Sequence, residues 1–154
     1  MSELPDDAVE VLSGSVGGGL RWVVVVEGDD EELSTILRVY RCDRQVAGSG
    51  FGGPGLSGDS VLNEWRGKTD DLPYFVMART SPMVDRVVAT TDRGSEITLA
   101  LSPPVERFGL RFAAAALPDG ERPGSIRVEC EGSVLETLPQ RMPRSRPSAG
   151  GSLS

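Results

Sequence analysis

Short apolar runs in which Val, Ile, Thr or Phe recur at every second position appear from one end of the chain to the other, each cut off within a few residues by Gly, Pro, Asp or Ser. A chain built this way buries its apolar side only by pairing many short strands, so an all-β fold is expected. Ala8 to Leu12 and Leu20 to Val26 are Val-rich and are separated by the flexible Ser13-Gly14-Ser15-Val16-Gly17-Gly18-Gly19, which reads as strand, turn or bulge, and strand. In Trp22-Val23-Val24-Val25-Val26 both alternating sets are apolar. That strand is expected to be buried on both faces, at the centre of a sheet.

The next segment fits two patterns. Leu33, Ile36, Leu37 and Tyr40 follow helical spacing after the capping-box-like Asp29 and Glu32, while Leu33, Thr35, Leu37 and Val39 alternate as a strand would. The β-preferring Thr35, Ile36, Val39 and Tyr40 favour the strand, with Glu27 to Asp30 as the turn before it. From Asp43 to Thr69 periodicity dissolves into a stretch crowded with glycine from Gly48 to Gly58, read as one long loop at 43–69.

Pattern returns at Tyr74 to Ala78, and again in Val84 to Thr91 and Glu96 to Leu101, joined by the hairpin turn Asp92-Arg93-Gly94-Ser95. Val87, Ala89 and Thr91 are expected to face Ile97, Leu99 and Leu101, and Ser102-Pro103-Pro104 ends that ladder. Arg107 to Leu117 carries Phe108, Leu110 and Phe112 on one face and stops at Pro118-Asp119-Gly120; Ile126 to Cys130 and Val134 to Leu138 form a last hairpin around Glu131-Gly132-Ser133. About eight to ten short strands with turns between them predict an antiparallel β-sandwich, with an up-and-down barrel as the alternative. The expected organisation is one β domain over 1–140 and a disordered, low-complexity tail over 141–154.

The Trp22-led strand, the Gly-rich middle, "DRVVATTDRGSEITLAL", "RFGLRFAAAALPDG" and "SIRVECEGSVLETL" together resemble small, functionally uncharacterised β-rich proteins of high-GC bacteria. The resemblance covers Leu20 to Leu138. It implies a sandwich fold and attaches no activity to any residue.

Composition removes chemistries. The chain has no histidine, hence no imidazole base for a Ser or Cys nucleophile and no two-His metal site. Lys68 is its one lysine, and the two cysteines, Cys42 and Cys130, are too few for a zinc finger and wrongly spaced for a redox pair. The first ten residues lack the basic start and apolar stretch of a signal peptide, and the longest apolar run is too short to span a bilayer, so a cytoplasmic, soluble protein is expected. Residues 1–32 hold nine acids against Arg21 alone, whereas the last sixteen residues hold Arg141, Arg144 and Arg146 and no acid. An acidic body repels a phosphate backbone and argues against nucleic-acid binding.

The motifs present are incomplete. Gly48, Gly50 and Gly53 satisfy G-x-G-x-x-G, yet Pro54-Gly55 follows where a helix is required, and Gly67-Lys68-Thr69 has Leu62 where a phosphate loop needs glycine. Asp29 to Glu32 and Asp70-Asp71 lack the spacing of a calcium loop. Asp59 and Glu64 could form a carboxylate pair for a hydrolase that needs no histidine. Gly19-Leu20-Arg21-Trp22 is one residue longer than the Gly-x-Trp that opens lipocalin-like barrels.

The residues that stand out are Phe51, Leu56, Trp65 and Arg66, since aromatic residues and arginine dominate binding hot spots and loops on rigid sheets carry function. The competing reading has Trp65 plug an open end of the sandwich. The expected function is non-enzymatic, through contacts with another protein or a second copy, with no cofactor or metal, no nucleic acid and no membrane. The alternatives are a barrel that carries a small apolar ligand, and a carboxylate-dependent hydrolase.

Overall fold

A computed structural model describes residues 8–29, 32–53, 56, 60–69 and 71–138. The expected tail at 141–154 lies outside them. In chain order the strands are β1 (Val9–Val16), β2 (Leu20–Gly28), β3 (Leu33–Arg41), β4 (Arg44–Phe51), β5 (Leu62–Gly67), β6 (Phe75–Thr80), β7 (Arg86–Thr91), β8 (Glu96–Thr98), β9 (Ala100–Leu101), β10 (Arg111–Ala116), β11 (Pro123–Cys130) and β12 (Ser133–Leu138). They form three four-stranded antiparallel sheets, ordered β1-β2-β3-β4, β5-β6-β10-β9 and β12-β11-β7-β8. No sheet closes on itself, so the fold is a sandwich and the barrel alternative falls.

The sandwich has three layers, and the second sheet is the filling. Trp22, Val24, Val26, Leu37 and Val39 of the first sheet meet Phe75, Met77, Phe112 and Ala114 in one core. Val76, Ala78 and Ala113, on the opposite face of the same middle strands, meet Val87, Ala89, Ile126 and Val128 of the third sheet in another. All six residues of β6 are buried. This explains the alanine run of β10: its intrinsic helix preference yields because small side chains on both faces let two sheets stack on one strand.

The Trp22–Val26 run is buried throughout and lies on an inner strand of the first sheet. Leu33–Arg41 is the strand, its inward residues alternating with partly exposed ones. The expected loop at 43–69 needs correction, because it contains two strands, β4 and β5. Glycine there marks close approach of backbones as well as turns: a Cβ on Gly50 would lie 2.0 Å from the Thr35 carbonyl oxygen across the β3–β4 ladder. Phe108 is also displaced from its expected strand. It sits in a turn closed by the Val105–Leu110 bridge and packs edge-to-face on Phe112, with ring centroids 6.1 Å apart.

The ladder expected between Val84–Thr91 and Glu96–Leu101 is split. Ala89 does pair with Ile97, but the chain switches sheets at Leu99, so Leu101 pairs with Ala113 and Thr91 bonds to Ser95.

Two hairpins use two-residue turns with positive φ at both positions, Cys42-Asp43 (50° and 69°) and Glu131-Gly132 (52° and 84°). Only the second has glycine where the backbone favours it. Asp43→Gly is therefore expected to raise the unfolding free energy by up to about 1 kcal/mol, read as a higher midpoint in urea at unchanged slope. Its ion pair with Arg21, 3.9 Å long with the Asp43 side chain 96% exposed, is too solvated to offset that gain.

Candidate functional site

Each residue singled out in the middle segment has a place in the layers. Phe51 ends β4 and lies on the guanidinium of Arg79, 4.1 Å from its ring centroid. Leu56 is half-buried against the first core. Trp65 projects from β5 onto the same core, and its indole folds over Gly67, where a Cβ would approach within 2.5 Å. The slot that Trp65 shares with Leu37, Ala47 and Phe75 has only about 20 Å³ left. Arg66, next along the strand, faces the opposite way. Its Nε donates to Glu64 Oε1 (3.1 Å) and its Nη1 to the carbonyls of Pro123 (3.3 Å) and Gly124 (3.1 Å), clamping the middle sheet to β11.

Phe51, Leu56 and Trp65 therefore converge on the first interlayer, with Arg66 at the second. They do not form one surface. Of the proposed carboxylate pair, Asp59 lies outside the described residues and Glu64 is engaged by Arg66.

The residue that composition alone did not single out is Arg79, on β6, with no exposed surface. Its Nε donates to Thr35 Oγ1 (2.8 Å), and its Nη2 donates to the carbonyls of Leu33 and Phe51, the latter at 3.1 Å. Burial lowers the guanidinium pKa to about 10, which leaves it charged at neutral pH. It ties the ends of β3 and β4 to the middle sheet.

Open space gathers at one end of the stack, where loops meet. One lobe, about 370 Å³, is lined by Lys68, Asp71, Leu72, Pro73, Tyr74 and the Asp119–Arg122 turn. A second, about 400 Å³, is lined by Val16, Gly17, Gly18, Arg41 and Leu117. Asp71, Pro73 and Asp119 line both, so the two lobes are adjacent and together make up the end cleft. Its walls come from the β1–β2 turn, the end of β3 and the connections β5–β6 and β10–β11. Leu117 N–H donates to the Tyr74 carbonyl (2.8 Å) and thereby ties two of these loops together. Glu121 is oriented by Thr91 Oγ1, which donates to its Oε1 (2.6 Å). The Pro118-Asp119-Gly120 turn and Asp71 are visible in the sequence; that they line the same space is a matter of topology.

Other candidate chemistries find little here. Among the described residues no group of three or more acids and cysteines could hold a metal ion. Cys42 and Cys130 are both free thiols, and burial, followed by the carboxylates of Asp85 and Glu131, pushes the Cys130 thiol pKa up, away from a reactive thiolate. No helix is long and apolar enough to cross a membrane. No protein-family model, curated protein or solved structure matches the chain.

Proposed function

We propose that this chain is a non-enzymatic β-sheet protein that works through protein contacts, with the end cleft as its contact surface. The observation that carries the reading is the cleft itself: loops fixed on a three-layer stack border two adjacent, solvent-open lobes of about 370 and 400 Å³. Arg41, Lys68 and Arg122 line it together with Asp71, Asp119, Glu121 and Tyr74. A mosaic of both signs suits a protein surface of complementary pattern, where charge sets orientation and discriminates partners. The carboxylates disfavour a phosphate-rich ligand. The carrier reading loses its barrel interior, since the sheets stay open and the cores are filled by side chains.

The test is co-isolation after mild crosslinking in native lysate, comparing wild type with Arg41→Glu/Arg122→Glu and with Trp65→Phe. Both arginines are exposed, so the double variant keeps the fold. Recovery of specific partners is expected to fall about tenfold or more in the double variant, the scale of one or two lost interface charges, and to persist in Trp65→Phe. Equal recovery from wild type and the double variant removes the cleft from the reading.

A further inference from the structure

The first interlayer opens on the side where β1, β8 and β9 form the edges of their sheets. A groove of about 310 Å³ lies there, lined by Gly14 and Ser15 of β1, Trp22 of β2, Thr98 and Ala100 at the junction of β8 and β9, and Ala116 of β10. Among the described residues that line it none is charged. It carries an unanswered donor. Trp22 is 4% exposed, yet among the described residues nothing accepts from its indole Nε1–H, a group that a buried tryptophan ordinarily pairs. That nitrogen is not sealed in, because the one described side-chain polar atom that lacks both solvent and partner is Arg66 Nη2. Its edge of the ring lies against Gly14, where a Cβ would stand 2.9 Å from Nε1. Glycine at 14 thus keeps the donor open to the groove.

The backbone adds an acceptor. Leu117 N–H donates toward β6, to the Tyr74 carbonyl, whereas the Phe112 carbonyl accepts from Ser102 N–H (2.7 Å) on the β9 side. Peptide directions alternate along a strand, so Ala114 and Ala116 also turn their N–H and C=O to the β9 side. Ala114 has Ala100 opposite. Thr98 would come next, but the chain changes sheets there and Thr98 pairs with Val88. No described strand stands opposite Ala116. We propose that this groove binds a secondary amide, its carbonyl accepting from Trp22 Nε1–H and its N–H donating to the Ala116 carbonyl. A charged group would lose its water with no counter-charge to meet it. An ester would leave the Ala116 carbonyl unanswered. The hydroxyls of Ser15 and Thr98 donate or accept as the rest of the ligand requires. A polypeptide main chain and a free small molecule both present this group.

The groove shares only Val16 with the end cleft, and the two proposals fail separately. The chain has two tryptophans, so a proton–nitrogen correlation spectrum of the full chain shows two indole N–H signals, which Trp65→Phe assigns. Titration with a capped trialanine peptide is expected to move the Trp22 signal downfield to saturation, with a Kd on the order of 1 mM, as suits a shallow open site. The Trp65 signal is expected to stay, since its slot has only about 20 Å³ left. Ala100→Leu, at an exposed position on the rim, is expected to weaken binding about tenfold with an unchanged melting curve. N-methylacetamide separates the two sources: binding as tight as the peptide's assigns a free amide, and binding about tenfold weaker or more assigns a main chain. A Trp22 signal that moves with neither probe overturns the proposal, as does full affinity in Ala100→Leu. Methyl acetate binding as well as N-methylacetamide overturns the choice of an amide.

Discussion

Arg79→Ala is expected to unfold the protein with a loss of roughly 3 to 5 kcal/mol, a fall in Tm of about 10 to 20 °C for a chain of this size. The substitution empties a site with no solvent access and strips donors from the Thr35 hydroxyl and from the Leu33 and Phe51 carbonyls. Each buried acceptor left unpaired costs about 1 to 3 kcal/mol. Phe51 also loses the cation beneath its ring. Arg79→Lys separates charge from geometry: an ammonium keeps the charge but cannot serve three carbonyl and hydroxyl oxygens along a planar fork, so a loss of about 2 kcal/mol is expected. Thermal unfolding followed by circular dichroism checks both. The sign of the pH effect follows from the depressed pKa. Desolvation penalises the charged form in the folded state, and this penalty is constant below about pH 10 and is relieved only as pH rises through that value. Arg79 therefore adds no pH dependence to stability near neutrality.

The second large effect concerns the two faces of the middle sheet. Ala113 and Ala114 are adjacent on β10, both without exposed surface, and Ala113 packs toward the third sheet while Ala114 packs toward the first. Ala113→Leu and Ala114→Leu are each expected to cost about 1 to 3 kcal/mol by overpacking, measured by urea denaturation. A sheet covered on one side only would show the penalty at one position and tolerate leucine at the other.

Much of this architecture is legible in the residues. Strand alternation in Leu33 to Arg41 outweighed its helical spacing because Thr35, Ile36, Val39 and Tyr40 suit a pleated surface, and the strand is there. The double burial of Trp22 to Val26 followed from two apolar alternating sets. What was illegible shares a cause: the signal depended on a neighbour distant in sequence. Gly50 reads as part of a long loop until β3 is seen pressing on β4. The third layer was hidden because alanine at 113 to 116 is small on every face and shows no period.

The candidate site divides in the same way. Phe51, Leu56 and Trp65 were conspicuous as aromatic or apolar residues in a glycine-rich segment, and their conspicuousness reflects interlayer packing. Arg66 was conspicuous as a cation beside tryptophan, but alternation along β5 turns it to the opposite face, onto the Pro123 and Gly124 carbonyls. Arg79 follows the apolar Tyr74 to Ala78 run with nothing in the sequence to mark it, and is the most enclosed charge described. The cleft residues Lys68, Asp71, Asp119 and Arg122 occupy loops far apart in sequence, which only strand order brings to one end.

The arrangement from which all of this follows is a middle sheet enclosed between two others, and native-state amide hydrogen exchange tests it most directly. The amides of Val76, Met77 and Ala78 on β6 are expected to exchange slowest, through global unfolding alone, while those of the edge strands β8 and β12 exchange through local opening and are faster by orders of magnitude. Exchange in β6 as fast as in β12 would contradict the three-layer stack.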